Sequence, residues 1–451
     1  MDLTSSKKKG ETMNYITFDK IKLDGITYQR IIDFQVEQKI GEHAKATLVI
    51  EGDKSSYDAN ALMDVTVQIY NESEEKKECI FCGSICGSAY ADETDYSGIK
   101  MELVSMSKQL DIEPVTATCQ QSTLSYQDLM EKVAESRAII HFGVTDTTIG
   151  SWRYRNNETA WAFIKRLASQ CNASVMTNMS TMVPILSIGQ TDKNITNTPA
   201  LMDTYELDGR IVYRTNIVLE LGTKLSGAYY VIYAKTYFKD AILVTDYILG
   251  TMEELKQDTY YNEQSACKML TGTVKKVERE KVQVYFDSID STYDESGDCW
   301  FEYATPYATN GGAYGSGFYF MPEEEDKVRV FLPSADEGEA FAFGTVSDSS
   351  LKNPEYVQWK MPGKQQILFT DKGVRISCEG VSVYIDMKAE EGINVWSTTE
   401  INLEIAKTVE IAGKKEVIMY ADDVVTFKSS EALMSIENDK IVFDSVNFQL
   451  N

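Results

Sequence analysis

Cys79, Cys82 and Cys86 stand at Cys-x2-Cys-x3-Cys spacing, the one cluster in the sequence arranged like metal ligands. Zinc or an iron–sulfur cluster would need a fourth ligand. Cys119 is the nearest candidate, and no second Cys-x-x-Cys answers the first. Ile80, Phe81 and Ile85 give this stretch a strand-like character, so the three read as thiols buried in a β-strand. Glu323-Glu324-Glu325-Asp326 could bind a cation or supply the paired carboxylates of a glycosidase. Nothing nearby would bury one acid and set its pKa apart, so a solvated turn is expected, and Asp422-Asp423 reads the same way. His43 and His141 lack a G-x-S-x-G or similar nucleophile context and read as structural or surface residues. Neither a phosphate-cradling G-x-x-x-x-G-K-[ST] loop nor a G-x-G-x-x-G helix start is present. No catalytic residue, metal ligand or cofactor is expected, and the chain does not read as an enzyme.

The 451 residues carry 69 acids against 44 Lys and Arg, a net charge of −25. That balance repels phosphate backbones and argues against a nucleic-acid partner. At 43% hydrophobic and 25% charged the composition is globular, and its length suits three or four domains. The longest apolar run, Ala228 to Ala234, is far short of a membrane span. Lys7, Lys8 and Lys9 precede polar residues rather than an apolar segment, so a secretory signal is not expected. Residues 1–13 read as a disordered leader. Cytoplasmic synthesis with reduced thiols fits the eight cysteines, with any export by another route.

The elements that would position these groups are mostly strands. Residues 14–110 alternate apolar and polar residues (Ile32, Phe34, Val36; Ala44, Ala46, Leu48, Ile50; Val65, Val67, Ile69), as in an antiparallel barrel or sandwich. Residues 111–195 change character. Ser125 to Asp128 resembles a capping box before a helix, and Trp161, Ile164, Leu167, Ala168 and Cys171 share one face of a second helix from which Lys165, Arg166 and Gln170 point away. Residues 196–265 return to strands, among them Ile211 to Tyr213 and Tyr229 to Tyr233. Residues 266–348 hold five short strands, as in a small OB-type barrel. Trp300 and Phe318 there read as core or interface residues.

The last segment, 349–451, carries a repeat. Ile393, Ile401, Val409, Val417, Val425, Leu433 and Ile441 recur every eighth residue, and all seven are apolar. At a 43% background that has a chance on the order of a few in a thousand. Two residues beyond each stand Val395, Leu403, Ile411, Met419, Phe427, Ser435 and Phe443, with Ser435 the exception. A strand-and-turn octad buries one face, so a lone ribbon would expose an apolar stripe and two edges. Three copies with their stripes on a common axis would close into an intertwined prism, with these seven residues as its core. The alternative is an ordinary meander packed on the rest of the chain.

The order of parts resembles the VgrG-type spike of contractile injection systems, equivalently the fused hub and spike of phage tails. Glu158 to Ala168 resembles the family's hub helix, an acid and an aromatic followed by F-x-x-R-L-A. Gly317 to Val328 resembles its OB segment F-x-P-x-x-G-D-x-V, with Glu325 in place of the usual Gly. The octads resemble the needle. The resemblance implies a mainly β fold: a hub of two β-barrels with a small α/β insert, an OB-fold collar and a trimeric β-helical needle. It implies a homotrimer that adapts a sixfold inner tube to a threefold needle. Its partners would be an inner tube protein, baseplate proteins, a PAAR-type tip protein and, on firing, the target cell envelope. Relatives that build their own iron tip use paired His. This chain ends Phe448-Gln449-Leu450-Asn451, which is expected to dock a separate tip, and no lysozyme or effector domain is expected. A cell-wall hydrolase on a β scaffold and a receptor-binding fibre are the competing functions.

Overall fold

A computed structural model describes residues 15–54, 57–73, 76–92, 97–191, 199, 201–225, 228–309, 316–346, 355–361, 363–378, 382–437 and 439–447. The leader (1–13) and the tip residues Phe448, Gln449, Leu450 and Asn451 lie outside them. The chain packs as two units, 1–347 and 348–451.

The alternating segments of the first unit form β1 (Ile21–Asp24), β2 (Ile31–Lys39), β3 (Lys45–Glu51), β4 (Thr66–Glu72), β5 (Lys77–Asp92) and β6 (Ser97–Ser105), with the single-turn helix α1 (Ala59–Leu62) between β3 and β4. Their inward residues, among them Phe34, Val36, Leu48, Ile69, Phe81 and Met101, make the hub core.

The insert follows. β7 (Val115–Cys119) pairs with β9 (Arg153–Glu158), and β8 (Ile139–Phe142), β10 (Val175–Thr177) and β11 (Ile185–Ile188) form a small sheet. Helices α2 (Tyr126–Ala134) and α3 (Ala160–Gln170) pack on it. Both are capped as their sequences require: Ser125 Oγ accepts from the Asp128 N–H at 3.1 Å, and Thr159 Oγ1 from the Ala162 N–H at 3.1 Å. The expected apolar face of α3 is buried, but Arg166, expected to point away from it, is buried as well, its side chain only 1% exposed.

Hub strands resume with β12 (Leu201–Leu207), β13 (Arg210–Thr215), β14 (Tyr230–Lys239) and β15 (Ile242–Gly250). The two hub segments share one ten-stranded sheet in the order β1-β4-β5-β6-β3-β2-β14-β15-β13-β12. The join is the antiparallel β2–β14 pair.

The OB-like unit contains β16 (Lys268–Glu278), β17 (Lys281–Tyr285), β18 (Phe301–Ala304), the short hairpin β19 (Ala308–Thr309) and β20 (Ser316–Gly317), β21 (Lys327–Leu332) and β22 (Phe341–Val346). β16-β17-β18-β22-β21 is a closed barrel of five strands. Trp152 and Tyr154 of the insert complete its core, Trp152 packing edge-on against Phe301 at 5.1 Å. Trp300 is half-buried, while Phe318 is exposed beside the barrel.

The second unit is all antiparallel. β23 (Val357–Lys360), β24 (Gln366–Thr370), β25 (Gly373–Cys378), β26 (Val383–Lys388) and β27 (Gly392–Ser397) form one meander. β28 (Val424–Ser429), β29 (Ala432–Glu437) and β30 (Lys440–Ser445) form another. No strand spans residues 398–423, all of which are described.

Candidate functional site

Residues opposite each other in neighbouring strands share a face of the sheet. In the five-stranded meander one such row is Trp359, Ile367, Ile376, Ile385 and Val395, and the next is Val357, Phe369, Val374, Met387 and Ile393. All ten are apolar. The opposite face carries Gln358, Leu368, Arg375, Asp386 and Asn394. There Arg375 donates to Asp386 at 2.9 Å and holds that carboxyl below its usual range. The sheet is therefore amphipathic, and in a single chain its apolar side faces water: Ile393 is 71% exposed and Val357 61%.

The three-stranded meander repeats the arrangement. Val425, Ile436 and Ile441 form one row, and Phe427, Met434 and Phe443 the other. Leu433 lies elsewhere. It sits opposite Lys428 and Asp444, on the face that also holds Ser435, Thr426 and Val442. The apolar stripe slips by one residue in β29, which takes Met434 and Ile436 inward and leaves Ser435 among polar neighbours. The apparent exception in the octads is this slip.

Of the seven octad residues, Ile393, Val425 and Ile441 lie on these apolar faces. Ile401, Val409 and Val417 fall in the strandless stretch, where they are at least half exposed. Burying a Val- or Leu-sized side chain is worth ~1.5–3 kcal/mol. Ten residues at half that value give on the order of 10 kcal/mol per copy, similar to the ~4–15 kcal/mol that association costs. These faces can hold an assembly together.

The residues considered for chemistry do not converge. Cys82 is buried, Cys79 half-buried and Cys86 exposed along β5. Burial pushes the Cys79 thiol up to about 11. Glu323 to Asp326 form an exposed turn in which Asp326 accepts from the Glu323 N–H at 2.8 Å. Glu325 adopts φ 72°, a left-handed conformation for which Gly is suited. His43 is largely buried between the Trp161 ring at 4.3 Å and Asp111 at 3.5 Å, with Ser107 Oγ at 2.8 Å from Nδ1. Burial pulls its pKa down to about 4, so it is neutral at pH 7.

Sequence reasoning missed the polar network that ties insert to barrel. Arg166 on α3 pairs with Glu158 at 2.8 Å and with Glu337 of the OB unit at 2.6 Å, and donates to the Tyr154 carbonyl at 2.9 Å. The i, i+8 spacing of Glu158 and Arg166 was visible, but Glu337 lies 171 residues away.

A β hub, a closed five-stranded barrel and an amphipathic β tail, in this order, define the architecture of a fused hub and spike. The fold matches the E. coli c3393 protein, a component of the type VI secretion system described as structurally similar to the T4 bacteriophage tail proteins gp27 and gp5. That match has TM-score 0.51 and 10% identity over 73% of this chain and 100% of that one. A chain of a Francisella PdpA–VgrG complex aligns at TM-score 0.48 and 8% identity over 81% of this chain and 83% of that one. A 43 kDa tail protein of prophage MuSo2 from Shewanella oneidensis aligns at 0.40 and 9%, over 52% and 98%. No protein-family model matches the sequence, and no curated protein does.

Proposed function

We propose that three copies of this chain form the non-enzymatic hub and puncturing spike at the end of the inner tube of a contractile injection machine. The hub would join tube and baseplate proteins, and the needle would lead into the target cell envelope, carrying a PAAR-type tip on Phe448, Gln449, Leu450 and Asn451. The chain would act as part of the assembled particle. The observation that carries this reading is the pair of sheet faces in residues 357–443 whose central rows are all apolar and which a single copy leaves in water. The hub-and-spike fold supports it.

Size-exclusion chromatography with light scattering tests it. The wild type should run as a trimer. Val409→Asp places a charge on the stripe and should give monomers whose hub remains folded by circular dichroism. A monomeric wild type at high concentration would refute the proposal. Hydrolysis of purified peptidoglycan, abolished by Glu323→Gln or Glu324→Gln, would instead favour a cell-wall hydrolase.

A further inference from the structure

Cys-x2-Cys spacing puts two side chains on opposite faces of a regular strand. In β5 it does not. Tyr70 of β4 stands opposite Cys79 and Ile69 opposite Phe81, so Ile80 is an extra residue bulged out of the ladder. Ile80 and Phe81 both pack into the hub core. Cys79 and Cys82 are thereby brought together on the other face, opposite Tyr70 and Gln68, as next neighbours along it. Such neighbours are about 7 Å apart along a strand. Cys86 is not part of the pair. It lies four residues on, roughly 13 Å along the strand, and its thiol donates to the Glu102 carbonyl at 3.4 Å.

A third sulfur meets this pair. Between β10 and β11 the chain forms a loop, residues 178–184, that reaches β5, and the Cys82 N–H donates to the Met179 carbonyl at 2.7 Å. Cys82 Sγ lies 3.2 Å from Met182 Sδ. Met182 is 48% exposed, so burial does not account for its position. Polar bonds hold the loop instead. Asn178 Oδ1 accepts from the Ser180 N–H at 2.7 Å, the Ser180 hydroxyl donates to Glu220 at 3.0 Å, and the Thr181 hydroxyl donates to the Val183 carbonyl at 2.7 Å. The thioether is therefore in place before any ligand arrives, as a binding site requires of its supports. Cys79 and Ser180 also line a cleft of about 750 Å³, which gives access from solvent. Among the described residues no three His, Cys, Asp or Glu side chains gather as a metal site. The donor set here is sulfur alone, two thiols and a thioether, and such soft donors select Cu(I) over the harder divalent ions.

We propose that Cys79, Cys82 and Met182 bind a copper(I) ion through two thiolates and one thioether. Loading releases the two thiol protons to solvent, and the single positive charge of the ion leaves the site at net −1. Affinity should therefore fall as pH falls. A filled site ties the insert loop to hub strand β5, and an ion that binds only the folded chain raises its thermal midpoint. The inference does not depend on the oligomeric state of the chain.

The test uses the full chain with Cys86→Ser, Cys267→Ser and Cys378→Ser, which remove the exposed thiols. Titrated anaerobically with Cu(I) against bathocuproine disulfonate, it should take up one ion per chain. Cys79→Ser and Cys82→Ser should each lose that uptake. Met182→Leu, which keeps the side-chain volume, should weaken it by about 10–100-fold, the loss typical when a metal site is stripped of a supporting group. X-ray absorption at the copper edge should show sulfur neighbours alone. No uptake, uptake unchanged in Cys79→Ser and Met182→Leu, or nitrogen and oxygen neighbours in the spectrum overturns the site. Tighter binding of Zn(II) overturns its assignment to a soft ion. Should Cys82→Ser fail to fold, the solvent-facing Met182→Leu and the absorption spectrum decide.

Discussion

Arg166 shows how far a charged side chain can be drawn from water when two carboxylates meet it. With Glu337 only 2% exposed, deleting the guanidinium leaves buried acids without their cation. Breaking such a pair costs about 3–5 kcal/mol. Arg166→Met should lower the denaturant midpoint accordingly, and adding Glu337→Gln should recover part of the loss; full additivity would show the two do not interact. His43 makes a second prediction. Its pKa lies at about 4 when folded and near 6.5 when unfolded, so between those values the unfolded chain binds more protons. The contribution of His43 to stability is complete above pH 6.5 and is lost as pH drops toward 4. In His43→Gln that part of the slope should vanish; an unchanged slope would assign it to the carboxylates. Neither side chain was legible from its neighbours alone. Periodicity around Arg166 marked it as off the apolar face, and its second carboxylate comes from another fold unit. His43 stands in a strand-rich segment whose packing partner, Trp161, lies in the insert.

At the scale of elements, strong local periodicity gave reliable elements. The α3 helix and the barrel strands declared themselves through spacing, because each buries one face against a continuous surface, whereas the octads are strands only at the two ends of their run, up to Ser397 and from Val424. Phase slips did not, since a single-residue shift exchanges the faces of a strand without changing its composition. β29 is the case in point. Constant spacing marks Leu433 as inward, whereas cross-strand pairing puts Met434 and Ile436 there and leaves Leu433 opposite Lys428. Met434→Asp should therefore block trimer formation in light scattering, while Leu433→Asp should leave it intact. The reverse pattern would restore the uninterrupted octad. The join of the two hub halves was likewise hidden, since β2 and β14 meet across almost 200 residues with no sequence signature for their register.

For the whole molecule, charge and apolar area pull in opposite directions. Each copy carries −25, so bringing three together concentrates negative charge. Apolar sheet faces supply the attraction, and these do not weaken as ions are added. Repulsion between exposed charges is screened beyond about 8 Å at 0.15 M ionic strength and about 30 Å at 0.01 M. Self-association should therefore tighten as salt rises from 0.01 to 0.5 M, and sedimentation velocity across that range would read it as a growing trimer fraction at fixed protein concentration. An assembly held by ion pairs between copies would respond with the opposite sign and dissociate in salt. On the axis of the proposed prism, Val409→Asp would add a charge where surrounding apolar groups exclude ions, so salt should recover far less of its trimer than of the wild type's. Equal recovery in both would place Val409 at the solvent-exposed rim and not on the axis.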